Sequence, residues 1–123
     1  MLGAFIREKM EPALYAAMAN RGVMTSPYVY SKGETPKDGI IGFLETPRYS
    51  TGYAVLFGCI GFTAEAHMLK PFPVRVKATK AFIEGAVEFM MSNTADLKAT
   101  RLAEAARWKR IQSAPVRWEG TQR

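Results

Sequence analysis

The chain has 123 residues, of which 48% are hydrophobic, and a net charge of +6. This length predicts at most one domain, and no run reaches the ~18 apolar residues that a transmembrane helix needs. The N-terminal residues lack a basic stretch followed by a long apolar run, so we expect no signal peptide. The sequence therefore favours a globular domain and excludes a membrane partner.

The positive charge is concentrated near the C-terminus. Residues 94 to 123 contain seven Lys and Arg against three Asp and Glu, which gives +4 of the total. Such a tail can bind nucleic acid or an anionic surface, or it can form a solvated helix face. We favour the solvated face, because the chain has no known nucleic-acid motif and no basic-aromatic interleaving of the kind that stacks bases. The sequence thus predicts no nucleic-acid partner.

The first half of the chain predicts one helix and two short strands. Residues 2–20 form the helix, in which Pro12 begins a second segment because a missing N–H is harmless in a first turn. Gly22 suits the left-handed position that ends a helix. Residues 27–30 are rich in β-branched and aromatic residues and predict a strand. A polar loop over residues 31–39 follows, and residues 40–44 predict a short strand or an extended lead-in.

The second half predicts a short helix, a strand and two longer helices. Ser50 is expected to cap a helix over residues 51–57, which Gly58 ends. Pro73 opens a long helix, and Asn93 or Thr94 caps a last one that runs through Ile111. The long helix is expected to bury one apolar face, formed by Val76, Phe82, Ile83, Ala86, Val87 and Met90.

Residues 60–65 have the period of a buried strand. Ile60, Phe62 and Ala64 alternate with Gly61, Thr63 and Glu65, so Thr63 and Glu65 share one face. A carboxylate at the end of an apolar strand costs free energy unless it is paired, solvated or functional. The local pattern favours a solvent-side ion pair, and the alternative is a general acid/base held on a rigid element.

The fold class predicted from these elements is α/β, with few strands and flanking helices. Residues 1–112 make up the folded part, and residues 113–123 are expected to be a frayed basic tail. So few strands leave edges that must pair with polypeptide outside this chain. The sequence therefore indicates a fragment of a larger domain, or a chain that self-associates.

Three stretches resemble a known enzyme family: Pro-Arg-Tyr-Ser-Thr-Gly-Tyr (47–53), Gly-Phe-Thr-Ala-Glu-Ala-His-Met-Leu-Lys-Pro-Phe (61–72) and Arg-Val-Lys-Ala-Thr (75–79). They resemble the C-terminal part of zinc carboxypeptidases, in a bacterial branch, over about residues 8 to 90. The pattern Phe62-Thr63-x-Glu65 is the one that carries the family's catalytic glutamate. The resemblance implies that Glu65 is the general base, that Thr63 lines the pocket, and that the fold is a partial zinc-carboxypeptidase-like (phosphorylase/hydrolase-like) one.

Further substrate-binding residues are predicted around this motif. Arg48 is a candidate for binding a substrate carboxylate bidentately, and a loop-anchoring hydrogen bond explains it equally well. The resemblance implies a substrate-contacting tyrosine here, which is Tyr49 or Tyr53, with packing the better role for Tyr53. His67 follows Glu65 by two residues and either orients Glu65, touches substrate or is structural.

The zinc that the resemblance implies has no ligand set in this chain. A catalytic zinc needs about three protein ligands, which the family supplies as His-x-x-Glu and a later His, upstream of the glutamate. This sequence has one histidine and no His-x-x-Glu, so we predict no metal ligands. The single cysteine, Cys59, is expected to be buried and inert, and a catalytic pair with His67 lacks an orienting third group.

The resemblance implies the C-terminal fragment of a zinc metallocarboxypeptidase, a hydrolase that removes C-terminal residues from peptide substrates. We expect the isolated chain to be inactive and to need the remainder of the catalytic domain or self-association. The alternative is a non-catalytic truncated relative that binds a peptide or protein. The resemblance is compatible with a periplasmic or secreted location, and neither cysteine usage nor any other feature decides the compartment or the preferred C-terminal residue.

Overall fold

The computed structural model describes residues 1–112, and the predicted frayed tail, residues 113–123, lies outside them. The elements are α1 (Leu2–Phe5), a π-helical turn (Ile6–Met10), α2 (Glu11–Asn20), β1 (Val29–Ser31), a 3-10 turn (Pro36–Asp38), β2 (Ile40–Gly42), α3 (Ser50–Val55), α4 (Phe72–Ser92) and α5 (Thr94–Trp108). The described part combines helices with a two-stranded antiparallel sheet, which is compatible with a loose α/β class. Within it, no helix is long and apolar enough to cross a membrane.

The predicted helix over residues 2–20 is confirmed, with one irregular turn before Pro12. α1 continues through the π-helical turn into α2, and Pro12 lies in the first turn of α2. Because Pro12 has no N–H, the regular helical hydrogen bond to residue 8 cannot form, and the wider turn before it is a single-turn π-bulge within a longer helix. The helix stops as predicted: Gly22 has a φ of 69°, and the Val23 N–H donates to the Met18 carbonyl at 3.0 Å.

The two strands predicted in the first half are present and form a hairpin. Tyr30 of β1 lies opposite Ile41 of β2 in the antiparallel register. In the connecting turn, the Asp38 carboxylate accepts hydrogen bonds from the Thr35 N–H at 2.8 Å and the Thr35 hydroxyl at 3.1 Å, which closes a capping box. All residues of both strands are exposed, so the hairpin lies outside the main core.

The core lies between the N-terminal helix and α4, and it includes Phe5, Leu14 and Phe89. The Phe5 and Phe89 rings meet edge-on at 5.8 Å. α2 and α4 are in close contact at Gly85, where a Cβ would lie 2.9 Å from the Cβ of Ala17. Small residues at a helix crossing therefore set the spacing of these two helices.

The apolar face predicted for α4 is largely wrong. Phe82 and Ala86 of that face pack against the core, and the buried residues of α4 are Ala81, Gly85 and Phe89. The other predicted residues, Val76, Ile83, Val87 and Met90, are exposed. α4 is apolar on two sides, and its helical period alone does not indicate which side meets α2.

The strand predicted over residues 60–65 is also wrong. These residues have no regular secondary structure, and no main-chain hydrogen bond joins residues 60–66 to any other residue among the 112 described. Ile60 and Phe62 pack against the core as the alternation predicts, whereas Ala64 is exposed. An extended segment becomes a strand only when a neighbour pairs with it, and within residues 1–112 β1 and β2 pair only with each other.

Glu104 connects α5 to the start of the chain. This buried residue accepts hydrogen bonds from the Leu2 N–H at 3.1 Å and from the Arg107 guanidinium at 2.8 Å. The Met1 amino group lies 3.4 Å from the same carboxylate. The Leu2 N–H, with smaller contributions from Arg107 and the amino group, holds the pKa of Glu104 below the ordinary glutamate value of 4.5.

Replacing Glu104 by Gln is expected to lower the free energy of unfolding at pH 7 by about 1 kcal/mol, because the amide has one acceptor oxygen and no charge. The folded pKa lies below the unfolded one, so the carboxylate's contribution is present above pH 4.5 and is lost as the pH falls through the folded pKa. Urea unfolding measures the free energy of unfolding of both proteins at a series of pH values from 7 downward. The difference between the two values should disappear in acid. Asp96→Asn, which breaks an exposed pair with Lys9, is the control and should have a smaller effect. A difference in the free energy of unfolding that stays constant from pH 7 into acid would contradict this role of the Glu104 carboxylate.

Candidate functional site

A groove of about 510 Å³ is the candidate site. Its walls come from α2 and the loop that follows it, from the hairpin, from residues 61–66 and from α4. We call it the Glu65 groove, because Glu65 is the predicted catalytic residue that lies in it. Leu14, Met18 and Phe82 form part of its apolar wall, and its volume lies within the range of ligand-binding clefts.

Glu65 and Thr63 both line the groove, and both are exposed. Gly61, Phe62 and Ala64 line it too, so the irregular course of this segment, and not the alternation of a strand, brings Thr63 and Glu65 together. Glu65 forms no ion pair or hydrogen bond with another residue in the range 1–112. The ion-paired interpretation of Glu65 therefore finds no partner in the described part of the chain.

An aromatic cluster stands beside Glu65. It consists of Tyr28, Tyr30, Phe43 and Tyr49, whose rings meet edge-on with centroids 4.9 to 6.0 Å apart. Tyr28 and Phe43 also line the groove. Interaction with the side chain of Tyr30 is the main cause that raises the pKa of Tyr28, and the negative charge of Glu65 contributes less. Tyr28 and Glu65 both line the groove.

Arg48 and Tyr49 lie just before α3 and are not among the lining residues. Tyr49 caps α3 in place of the predicted Ser50, and its carbonyl accepts the Tyr53 N–H at 2.8 Å. The Tyr49 ring packs on Phe43 with centroids 4.9 Å apart, so Phe43 lies between Tyr49 and the groove. Arg48 is exposed, and among residues 1–112 its guanidinium forms neither an ion pair nor the predicted loop-anchoring hydrogen bond.

His67 and Cys59 lie at opposite ends of the segment that carries Glu65, and both are exposed. The His67 Nδ1 accepts a hydrogen bond from the Leu69 N–H at 3.2 Å. His67 does not line the groove, and the described residues show no hydrogen bond from it to Glu65. The predicted burial of Cys59 is wrong, because the apolar run before residue 60 ends in an exposed turn and not in a buried strand.

The described side chains do not fit the zinc that the resemblance implies. Residues 1–112 contain no group of three or more His, Cys, Asp and Glu side chains that could hold a metal ion. The whole sequence has one histidine, and it lies outside the groove. The chemistry that this chain offers at the groove is therefore that of a free carboxylate beside aromatic and hydroxyl groups.

Sequence reasoning assigned only Thr63 and Glu65 of the lining residues to a site, and Tyr28, Phe43 and Glu45 are among those that it missed. The register that pairs Val29 with Gly42 places Tyr28 across from Phe43 when it is continued by one residue. Glu45 lies two residues beyond Phe43, and alternate residues of an extended segment point to the same side. The sequence signal for Tyr28 and Phe43 was an aromatic residue in each of two predicted extended segments. That signal identifies the pair only when the register of the two strands is known.

Comparisons of the chain with protein-family models, with curated proteins and with solved structures found no match. The functional conclusion is therefore drawn from the residues and their arrangement.

Proposed function

We propose that this chain is the C-terminal portion of the catalytic domain of a zinc-carboxypeptidase-like hydrolase, in which Glu65 is the general base. The observation that carries the proposal is the position of Glu65. The residue that the motif Phe62-Thr63-x-Glu65 marks lies in a groove, beside Thr63 and Tyr28 and with no ion-pair partner among residues 1–112. In this proposal the described part is one portion of a zinc-carboxypeptidase-like fold.

The chemistry proposed for this chain is proton transfer and substrate positioning. An exposed carboxylate at Glu65 accepts a proton from the water that attacks a peptide carbonyl, and it returns that proton to the leaving amine. The Thr63 hydroxyl donates a hydrogen bond to the bound peptide. Arg48, outside the groove, binds the terminal carboxylate of the peptide, and Tyr49 and His67 contact the parts of the substrate that leave the groove.

Two observations support a larger assembly as the active form. The main chain of residues 60–66 forms no hydrogen bond with other described residues, and one side of α4 exposes Val76, Ile83, Val87 and Met90. Both features suit contact with further polypeptide, which is the remainder of the catalytic domain or a second copy. The zinc ligands would lie in that remainder, because the described side chains do not supply them.

The isolated chain is expected to release no C-terminal residues from a blocked peptide, with or without added zinc. The native product, purified from its host with an antibody against this chain, is expected to be larger than 13.7 kDa and to release them in a chelator-sensitive way. Intact mass spectrometry and quantification of the released amino acids measure both. Zinc-dependent release by the isolated chain would contradict the expectation that this chain alone is inactive. A larger native product that releases no residues would contradict the proposal that the chain belongs to a hydrolase.

A second candidate function is a non-catalytic module that binds a peptide or protein. The open groove without a metal-binding group among the described residues favours it. This candidate predicts a native product of 13.7 kDa that binds peptides and leaves them intact. The same mass and release measurements therefore separate the two functions.

A further inference from the structure

One side of α4 exposes four apolar residues, Val76, Ile83, Val87 and Met90, which we call the α4 stripe. We propose that the α4 stripe pairs with the same stripe of a second copy of this chain, with the two helices antiparallel. None of the four residues lines the Glu65 groove, so the pairing goes beyond the proposed hydrolase and does not depend on it. The spacing of the stripe, the shapes of its two halves and the charges beside it carry the proposal.

The α4 stripe has the spacing of a contact between two helices. Its residues follow one another at intervals of seven, four and three, which keeps them on one side of an α-helix. Gly85 lies on the opposite side and meets Ala17 of α2, so the helix packed against α4 in the core does not cover the stripe. From Val76 to Met90 the stripe is roughly 21 Å long, at 1.5 Å per residue. A continuous apolar surface of this kind is typical of an interaction site.

The two halves of the stripe have complementary shapes. Beside the N-terminal half lies a groove of about 740 Å³, whose walls include Phe72, Val76 and Ile83. Beyond the C-terminal end of this groove, α4 carries Met90 and Met91, which are exposed and unbranched and therefore fit irregular gaps. When two copies of α4 run antiparallel and meet at Ile83, Met90 of one copy lies opposite Val76 of the other. Each copy then fills the groove of the other, which is the self-complementary contact of a twofold dimer.

The charges beside the stripe favour the antiparallel orientation. Lys77 and Lys80 lie in the N-terminal half of α4, and Glu84 and Glu88 lie in the C-terminal half. An antiparallel pair places the basic half of each copy beside the acidic half of the other, whereas a parallel pair places like charges together. Lys77, Glu84 and Glu88 also share one flank of the stripe, because they are seven and four residues apart.

These glutamates remain accessible to a second copy. Within one copy, Glu84 pairs with Lys80 at 3.1 Å, and both Glu84 and Glu88 pair with Arg21. Their side chains nevertheless keep 43% and 60% of their surface exposed, so a lysine of another copy can reach them. Lys77 forms no ion pair among residues 1–112, and the acidic half of a second α4 supplies one.

Sedimentation equilibrium of the 123-residue chain, from about 1 to 200 µM, tests the pairing, because dimerisation follows mass action. We expect the average mass to rise from 13.7 kDa at the lowest concentration toward twice that value. A mass that stays at 13.7 kDa throughout would overturn the proposal and assign the stripe to other polypeptide. A mass that rises beyond the dimer would overturn the closed pair.

Replacing Ile83 by Glu locates the contact in the stripe. The variant should weaken the dimer at least about 30-fold, because the twofold axis places the two new carboxylates beside each other. Ile83 is 57% exposed in a single copy, so the circular dichroism spectrum should stay unchanged. Leu102→Glu is the matched control, because Leu102 is 64% exposed on α5 and outside the stripe, and its dimer should remain. Equal weakening in both variants would overturn the proposal.

Disulfide formation measures the orientation of the two helices. Val76→Cys and Met90→Cys are made separately in a Cys59→Ser background, which removes the one native thiol. With oxidised glutathione, a mixture of the two variants should form about 5-fold more linked dimer than either alone. Like positions lie roughly 20 Å apart in the antiparallel pair, and a disulfide needs Cα atoms within about 7 Å. Equal linkage in each variant alone would show a parallel pair and overturn the proposal.

Discussion

Replacing Glu65 by Gln is expected to lower the kcat of the native product about 10²- to 10⁴-fold, with little change in KM. Gln has nearly the same shape as Glu but cannot accept a proton at neutral pH, so proton transfer is lost and peptide contacts remain. Steady-state kinetics of chelator-sensitive release from a blocked peptide measure both constants. A loss confined to KM would show that Glu65 binds the substrate and does not act as the base.

Glu34→Gln is the control for this substitution. Glu34 is an exposed carboxylate on the hairpin and, like Glu65, has no ion pair among residues 1–112. Its replacement removes the same charge from the protein without touching the groove, so kcat and KM should stay unchanged. A kcat for Glu65→Gln equal to that of Glu34→Gln, in folded protein, would remove Glu65 from the mechanism.

Replacing Gly52 by Ala is expected to produce the largest loss of stability, about 3 kcal/mol in the free energy of unfolding. Gly52 is buried in α3, and a Cβ there would overlap the Thr46 carbonyl oxygen and lie 2.5 Å from that of Glu45. These neighbours are main-chain atoms, so the loop or the helix has to move. Urea unfolding of the two proteins, followed by circular dichroism, measures the difference.

Gly42→Ala is the matched control for Gly52→Ala. Gly42 lies in β2, and a Cβ there meets nothing within 4 Å, so we expect a change within about 0.5 kcal/mol. The Gly52 substitution should also weaken binding at the groove, because the loop that moves carries Glu45. Wild-type stability in Gly52→Ala would show that α3 does not pack against residues 45 and 46 as described.

The elements that the sequence predicted correctly are those with local causes. The missing N–H of Pro12 and the left-handed φ of Gly22 act within one helical turn, so the N-terminal helix could be placed without any knowledge of its neighbours. The same holds for α4, which begins beside Pro73 as predicted. The β-branched and aromatic residues of β1 and β2 similarly indicated two extended segments.

The candidate site was predictable in part, for the same reason. The motif around Glu65 identified this residue and Thr63, and the structure places both in one groove. Tyr28, Phe43 and Glu45 were missed because they join the groove through the pairing of two strands and through the loop after them. His67 was assigned to the side of Glu65 on the assumption of a continuous strand, which the described chain does not form.

The sequence by itself determined the N-terminal helix and its end near Gly22, the start of α4 beside Pro73, and that one carboxylate follows an apolar segment. The tertiary structure alone decided which face of α4 is buried, whether residues 60–65 pair as a strand, and which side chains share a groove with Glu65. The physical reason is the range of the interactions. Helix caps and turn conformations depend on residues a few positions apart, whereas burial and strand pairing depend on neighbours that are distant in sequence or lie on other polypeptide.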